Sequence, residues 1–70
     1  MERINVESSN LESIWYDPDQ MILEVEFKSW LIYQYYDVPQ EEYNSLMESD
    51  SQGKYLAANI KNIYSYDQIS

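Results

Sequence analysis

The 70-residue chain contains no cysteine and no histidine. Without cysteine it cannot form the disulfide framework by which many small domains compensate for a small core. Without either residue it lacks the usual ligands of a structural zinc ion. The same absence removes the commonest general base and the most easily activated nucleophile of enzymes. The absence of these two residues excludes stabilisation by disulfides or by the usual zinc sites, and catalysis by a histidine base or a cysteine nucleophile.

Glycine is nearly absent too, since Gly53 is the only one. The chain therefore has no glycine-rich loop that could hold a phosphate group. The segment from Glu48 to Gly53 resembles the start of a calcium loop, but Asn59 stands where that loop needs a bidentate glutamate. We expect no catalytic residue, no metal site and no cofactor, and hence a protein that is not an enzyme.

Basic residues are scarce, with 4 lysines and arginines against 13 acidic residues and a net charge of −9. This charge repels nucleic acids and anionic membranes at long range and favours a partner with a basic surface. A plainer interpretation is that the charge only keeps the protein in solution. No apolar run approaches the roughly 20 residues that span a bilayer, and no signal peptide is recognisable, so we expect a cytoplasmic location without membrane contact.

Aromatic residues are abundant, with eight tyrosines, two tryptophans and one phenylalanine. They supply large apolar surfaces with few rotatable bonds, which suits a short chain that must build its core without disulfides or a structural zinc ion. The length predicts a single domain over residues 1–70.

Alternation of apolar and acidic side chains predicts a strand at residues 21–27, in which Leu23 and Phe27 share one face. Two further strands are predicted at residues 10–16 and 30–36. Short turns join the three strands, so the pattern indicates an antiparallel meander.

The second half of the chain is predicted to be helical. Pro39 suits the first residue of a helix whose apolar stripe includes Tyr43. Ser51 is a suitable N-cap for a second helix over about residues 52–61, and residues 63–69 could add a short strand. The predicted fold class is α+β, a three-stranded antiparallel meander followed by two short helices, with an optional short C-terminal strand.

Several segments, in their order and spacing, resemble the KTSC domain family. They are residues 23–27, 32–36, 38–39, 51–55 and 59–60. The Tyr-x-Tyr of the family corresponds to Tyr33 and Tyr35, and the resemblance extends over residues 7–66. The family is named after the C-terminal end of some lysyl-tRNA synthetases and also includes stand-alone bacterial and phage proteins. The resemblance implies a small α+β domain, for which RNA binding has been suggested.

The chain differs from the family pattern at three places. Trp30 stands where the family usually has a glycine in the turn before the third strand, and Trp15 stands where a small residue is usual. The basic residues that the family has in its second helix and tail are reduced to Lys54 and Lys61. This last difference argues against RNA binding by this chain.

Tyr33 and Tyr35 share one face of their strand, and the loop after Phe27 decides which face it is. A two- or four-residue loop places both tyrosines opposite the apolar face of the preceding strand, as an aromatic platform similar to RNA-binding sheets. A three-residue loop places them in the core. A third alternative is that the helices cover the tyrosine face and make it the core.

Four other side chains are candidate contacts for a partner. Trp15 and Trp30 are either anchors of a protein interface or covers for the edges of a small core. Lys54 and Lys61, on one face of the second helix, are either a weak phosphate site or ordinary solvated charges.

Two functions remain as hypotheses. The first is a small non-catalytic binding module for a protein partner, such as an acidic phage-type inhibitor or an adaptor. The alternative is an RNA- or tRNA-binding domain that uses the two tyrosines and two lysines named above. An exposed third strand would also allow a homodimer.

Overall fold

The computed structural model describes residues 4–5 and 11–70 of the chain. The strands and helices are β1 (Ile4–Asn5), β2 (Leu11–Asp17), β3 (Ile22–Phe27), β4 (Ile32–Tyr35), α1 (Gln40–Glu48), α2 (Gln52–Asn59) and β5 (Tyr66–Gln68). The strands form one antiparallel sheet in the order β1-β2-β3-β4-β5. The predicted α+β class is confirmed, including both helices and the short C-terminal strand. Strand β1 was not predicted, and the predicted start of β2 at residue 10 lies outside the described residues.

A four-residue loop joins β2 to β3. The Asp17 carboxylate closes it by accepting the backbone N–H of Asp19 at 2.9 Å. Asp17 pairs with Ile22, and Trp15 pairs with Glu24. Trp15 and Ile22 therefore lie on the same face of the sheet, as the four-residue loop predicts.

The loop between β3 and β4 has three residues, 28–30, counted between Phe27 and Leu31, which face each other across the turn. The N–H of Phe27 donates to the carbonyl of Leu31 at 2.8 Å, and the N–H of Trp30 donates to the carbonyl of Phe27 at 3.0 Å. This geometry pairs Leu23 with Tyr35. Of the alternatives that the sequence left open, the structure therefore has the three-residue loop, with the β4 tyrosines on the face that β3 turns to the core.

Both helices pack against that same face of the sheet. The core consists of Leu11, Ile14, Tyr16, Leu23, Val25, Tyr35, Val38, Tyr43, Leu46, Leu56 and Ile60. The ring of Tyr16 stacks on that of Tyr43 with centroids 4.7 Å apart. The Tyr16 hydroxyl donates to the carbonyl of Val38 at 2.5 Å. A strand of the sheet is thereby joined to the segment that leads into α1.

The helix boundaries follow local chemistry. Helix α1 begins directly after Pro39, and α2 is capped by Ser51, whose hydroxyl accepts the N–H of Lys54 at 3.3 Å. Helix α2 ends at Asn59, so the prediction that it extends to about residue 61 is wrong. The N–H groups of Ile60 and of the next residue both donate to one carbonyl, that of Leu56, which closes the helix where Ile60 enters the core.

Replacing Tyr16 by phenylalanine should lower the free energy of unfolding by about 1–3 kcal/mol, because the carbonyl of Val38 would lose its partner inside the core. Denaturant titration followed by circular dichroism measures this change. The matched control is Tyr66→Phe, since Tyr66 is more than half exposed and its hydroxyl meets water in both states. Equal stability of the two variants would contradict the assigned role of the Tyr16 hydroxyl.

Stability should also fall in alkali. Burial, and then the neighbouring Tyr33 and Tyr66, raise the pKa of Tyr35 from 10.0 to about 12. An unfolded chain releases this proton near pH 10 while the folded chain keeps it to about pH 12, so the free energy of unfolding decreases as pH rises through this window. Denaturant titrations at increasing pH should show a shallower decrease for Tyr35→Phe, and an unchanged slope in this variant would count against the assignment.

Candidate functional site

Trp30 is the last residue of the β3–β4 loop and the most exposed large apolar residue that the structure describes. It is 82% exposed, and its backbone φ is 73°, in the left-handed region. A residue with a Cβ atom adopts this conformation at a cost of about 1 kcal/mol or more, whereas glycine adopts it freely. The position is the one at which the KTSC pattern usually has glycine. Trp30 therefore adds strain and exposed apolar surface without contributing to the core.

Other apolar residues lie at the same end of the sheet. Leu31 is 36% exposed and Ile69 is 49% exposed. The N–H of Ile69 donates to the carbonyl of Ile32 at 2.8 Å, which holds Ile69 beside the start of β4. We call Trp30, Leu31 and Ile69 the apolar loop end. Exposed apolar side chains of this kind are typical of a site of protein contact.

Trp15 has a different setting. It is half-buried on the face of the sheet opposite the helices, directly across from Glu24. Polar contacts surround it on that face. Glu24 accepts a hydrogen bond from the side chain of Gln34 at 3.0 Å, and the Ser13 hydroxyl donates to Glu26 at 2.9 Å. Trp15 is thus part of a mixed polar surface and presents much less free ring area than Trp30.

The two β4 tyrosines do not form an exposed platform. Tyr35 is fully buried, so its placement among accessible partner contacts is wrong. Tyr33 is half-buried, with its ring centroid 5.4 Å from that of Phe27 and 5.5 Å from that of Tyr66. The three-residue loop is the cause, because it reverses both side chains relative to a two- or four-residue loop.

Lys54 and Lys61 are both exposed, but they do not share a face of one helix as predicted. Lys54 lies in the first turn of α2, whereas Lys61 follows the end of that helix. Helix α2 closes at the carbonyl of Leu56, so Lys61 is not part of it. The helical spacing from which a paired phosphate contact was predicted therefore does not apply to these two lysines.

The structure adds a cluster that the sequence did not indicate. The carboxylate of Glu42 in α1 accepts hydrogen bonds from the hydroxyl of Tyr55 in α2 and, at 3.2 Å, from that of Tyr64. The hydrogen bond to Glu42 raises the pKa of Tyr55, and burial followed by the charge of Glu42 raises the pKa of Tyr64. These residues are distant in sequence, so no local pattern could have identified the cluster. It fastens α2 and the following segment to α1.

Within the part of the chain that the structure describes, no group of three acidic side chains lies close enough to hold a metal ion. None of the described helices has the length and apolarity needed to cross a membrane.

A five-stranded antiparallel sheet with two short helices on one face defines a small α+β domain. The family model of the KTSC domain matches residues 7–64. The chain therefore belongs to the KTSC domain family, and the resemblance seen in the sequence is confirmed.

Relatives support this assignment. The crystal structure of a KTSC domain protein from Yersinia pestis matches with a TM-score of 0.94 and 35% identity, over 99% of this chain and 97% of that one. An uncharacterized protein of Stutzerimonas stutzeri is 49% identical over 56 residues, which are 80% of this chain and 79% of that protein. A lysine–tRNA ligase of Nostoc is 34% identical over 64 residues, which are 91% of this chain but 11% of the ligase.

Replacing Trp30 by glycine should raise the free energy of unfolding by about 1 kcal/mol, because relief of the left-handed strain outweighs the greater freedom of glycine in the unfolded chain. The control is Ser29→Gly in the same loop, which should not stabilise, since Ser29 is not among the residues with positive φ. Thermal and denaturant unfolding measure both variants. A less stable Trp30→Gly protein would show that the indole contributes packing that exceeds its strain.

Proposed function

We propose that this KTSC domain is a non-catalytic protein-binding module and that Trp30 anchors a partner with a basic surface. The observation that supports the proposal is the 82% exposure of a tryptophan in a strained backbone position. With this exposure, little of its side chain packs against the rest of the domain. Burial of such an indole by a partner is a common source of binding energy at protein interfaces.

Charge supports the choice of partner. The net charge of −9 attracts a basic surface and accelerates its association, most strongly at low ionic strength. An acidic inhibitor that covers the basic surface of an enzyme, or an adaptor between proteins, would fit this description. A salt-sensitive association rate and a tryptophan-dependent dissociation rate are the kinetic signs of such an interface.

RNA binding is the second candidate, and the similarity to a segment of a lysine–tRNA ligase favours it. Three features weigh against it. Tyr35 is buried, Lys61 lies beyond the end of the helix that contains Lys54, and the net negative charge would repel phosphates. We therefore retain RNA as the outcome that would replace the proposal.

Affinity capture with wild type and Trp30→Gly tests the proposal. Tagged proteins are incubated with lysate of the source organism, with and without nuclease, and bound material is analysed by mass spectrometry and RNA staining. We expect a protein partner that survives nuclease and binds Trp30→Gly at least about tenfold more weakly, as for loss of an interface hot spot. The variant should remain folded, because glycine fits the loop.

The matched control is the double variant Lys54→Ala/Lys61→Ala, which removes exposed charge outside the β3–β4 loop. It should capture the same protein as the wild type. Recovery of RNA that disappears with nuclease and with the lysine variant would overturn the proposal in favour of RNA binding. Full retention of the protein partner by Trp30→Gly would also overturn it.

A further inference from the structure

Strand β5 forms one edge of the sheet, and all three of its residues, Tyr66–Gln68, are exposed. Every second residue along this part of the chain forms backbone hydrogen bonds with β4 and its flanking residue. The N–H of Ile69 donates to Ile32 at 2.8 Å, and Ser65 accepts from Tyr36 at 2.9 Å. Because backbone groups alternate along an antiparallel strand, the N–H and C=O groups of Tyr66 and Gln68 point away from β4. No strand among the described residues pairs with them.

Proteins protect an exposed edge by keeping it short, by charged side chains, by proline or by a bulge. Strand β5 has the first two, a length of three residues and the charge of Asp67. It contains no proline and no lysine, and its register with β4 is regular. The Asp67 carboxylate accepts a hydrogen bond from the Tyr36 hydroxyl at 3.0 Å.

The two faces of β5 have different chemistry. On the helix side, the ring of Tyr66 lies 5.5 Å from Tyr33 and 5.6 Å from Tyr35, yet Tyr66 is 53% exposed. On the other side is the Asp67 carboxylate. A further strand beside β5 would place alternate side chains against an aromatic ring and beside a carboxylate. Apolar residues suit the first positions and basic residues suit the second.

A second copy of this chain fits this edge poorly. Antiparallel pairing of two β5 strands would bring two Asp67 carboxylates close together and join two chains that each carry a net charge of −9. The charge instead favours a basic occupant. The homodimer was predicted through the third strand of the meander, β4, which lies between β3 and β5 and forms no edge of the sheet.

We propose that an extended segment of a protein partner, with apolar and basic residues in alternation, binds along β5 and extends the sheet. Backbone hydrogen bonds to Tyr66 and Gln68 supply affinity, and the alternating side chains supply selectivity. This inference rests on the proposed function, because it specifies how the partner of the module binds. One end of the bound segment would lie near the apolar loop end, because Ile69, which belongs to that group, directly follows β5.

A proline at residue 68 tests whether the outward backbone groups of β5 bind the segment. The N–H of Gln68 points outward, so Gln68→Pro removes that donor and obstructs a neighbouring strand while leaving the hydrogen bond of Ile69 to β4 in place. Gln68→Ala is the matched control, because it removes the side chain and keeps the N–H. Circular dichroism and the amide spectrum verify that both variants are folded.

The probe is a phage-displayed library of random peptides of about ten residues, selected on the wild-type domain. We expect enrichment of sequences that alternate apolar and basic residues. A selected peptide should bind Gln68→Pro at least about tenfold more weakly and Gln68→Ala within about twofold of wild type, by fluorescence anisotropy. Methylation of alternate peptide nitrogens should weaken binding similarly, because it removes backbone donors without changing side chains.

The inference is overturned if no peptide that alternates apolar and basic residues is enriched. It is also overturned if Gln68→Pro binds the peptide as tightly as the wild type does, or if the methylated peptide binds as tightly as the unmethylated one. It is also overturned if the wild type sediments as a dimer and Gln68→Pro as a monomer, since the edge would then serve self-association. A cellular partner that is lost by Trp30→Gly but kept by Gln68→Pro would refute the edge inference and leave the proposed function intact. Retention by both variants would refute the proposed function itself.

Discussion

The three-residue loop between β3 and β4 sets the register of β4 and thereby decides which side chains face the helices. Because it pairs Leu23 with Tyr35, the side chains of β4 extend the apolar face of β3 instead of opposing it. A loop longer or shorter by one residue would turn every β4 side chain to the other face and deprive the helices of their aromatic surface. The loop requires a left-handed residue at its last position, and Trp30 meets this requirement under strain.

Long-range tyrosine hydroxyls then hold the helices on that face. Tyr16 joins β2 to the carbonyl of Val38 before α1, while Tyr55 and Tyr64 both bind the carboxylate of Glu42. In a chain that has neither cysteine nor histidine, these bonds connect elements far apart in sequence, and the rings that bear them supply apolar area. The tyrosine rings thus pack in the domain while their hydroxyls join its elements, so few tyrosines are accessible to a partner.

Local patterns predicted much of the fold and less of the site. Alternation around Leu23 identified β3, and Ser51 was recognised as the cap of α2, as its bond to the N–H of Lys54 confirms. The register of β4 could not be predicted, because the loop sequence matches no preferred turn and nothing in it signals a left-handed tryptophan. Trp30 was selected as a candidate for its size and unusual place, whereas its strain and the open edge of β5 emerge only from tertiary geometry.

The left-handed backbone at Trp30 also bears on how such a contact can arise in evolution. The glycine codon GGG becomes the tryptophan codon TGG by a single nucleotide change, and the loop already has a conformation that suits either residue. The change adds a large apolar surface at an exposed position that is not part of the core. A lineage can therefore gain or lose a contact at this loop in one mutational step, while selection on the rest of the domain continues unchanged.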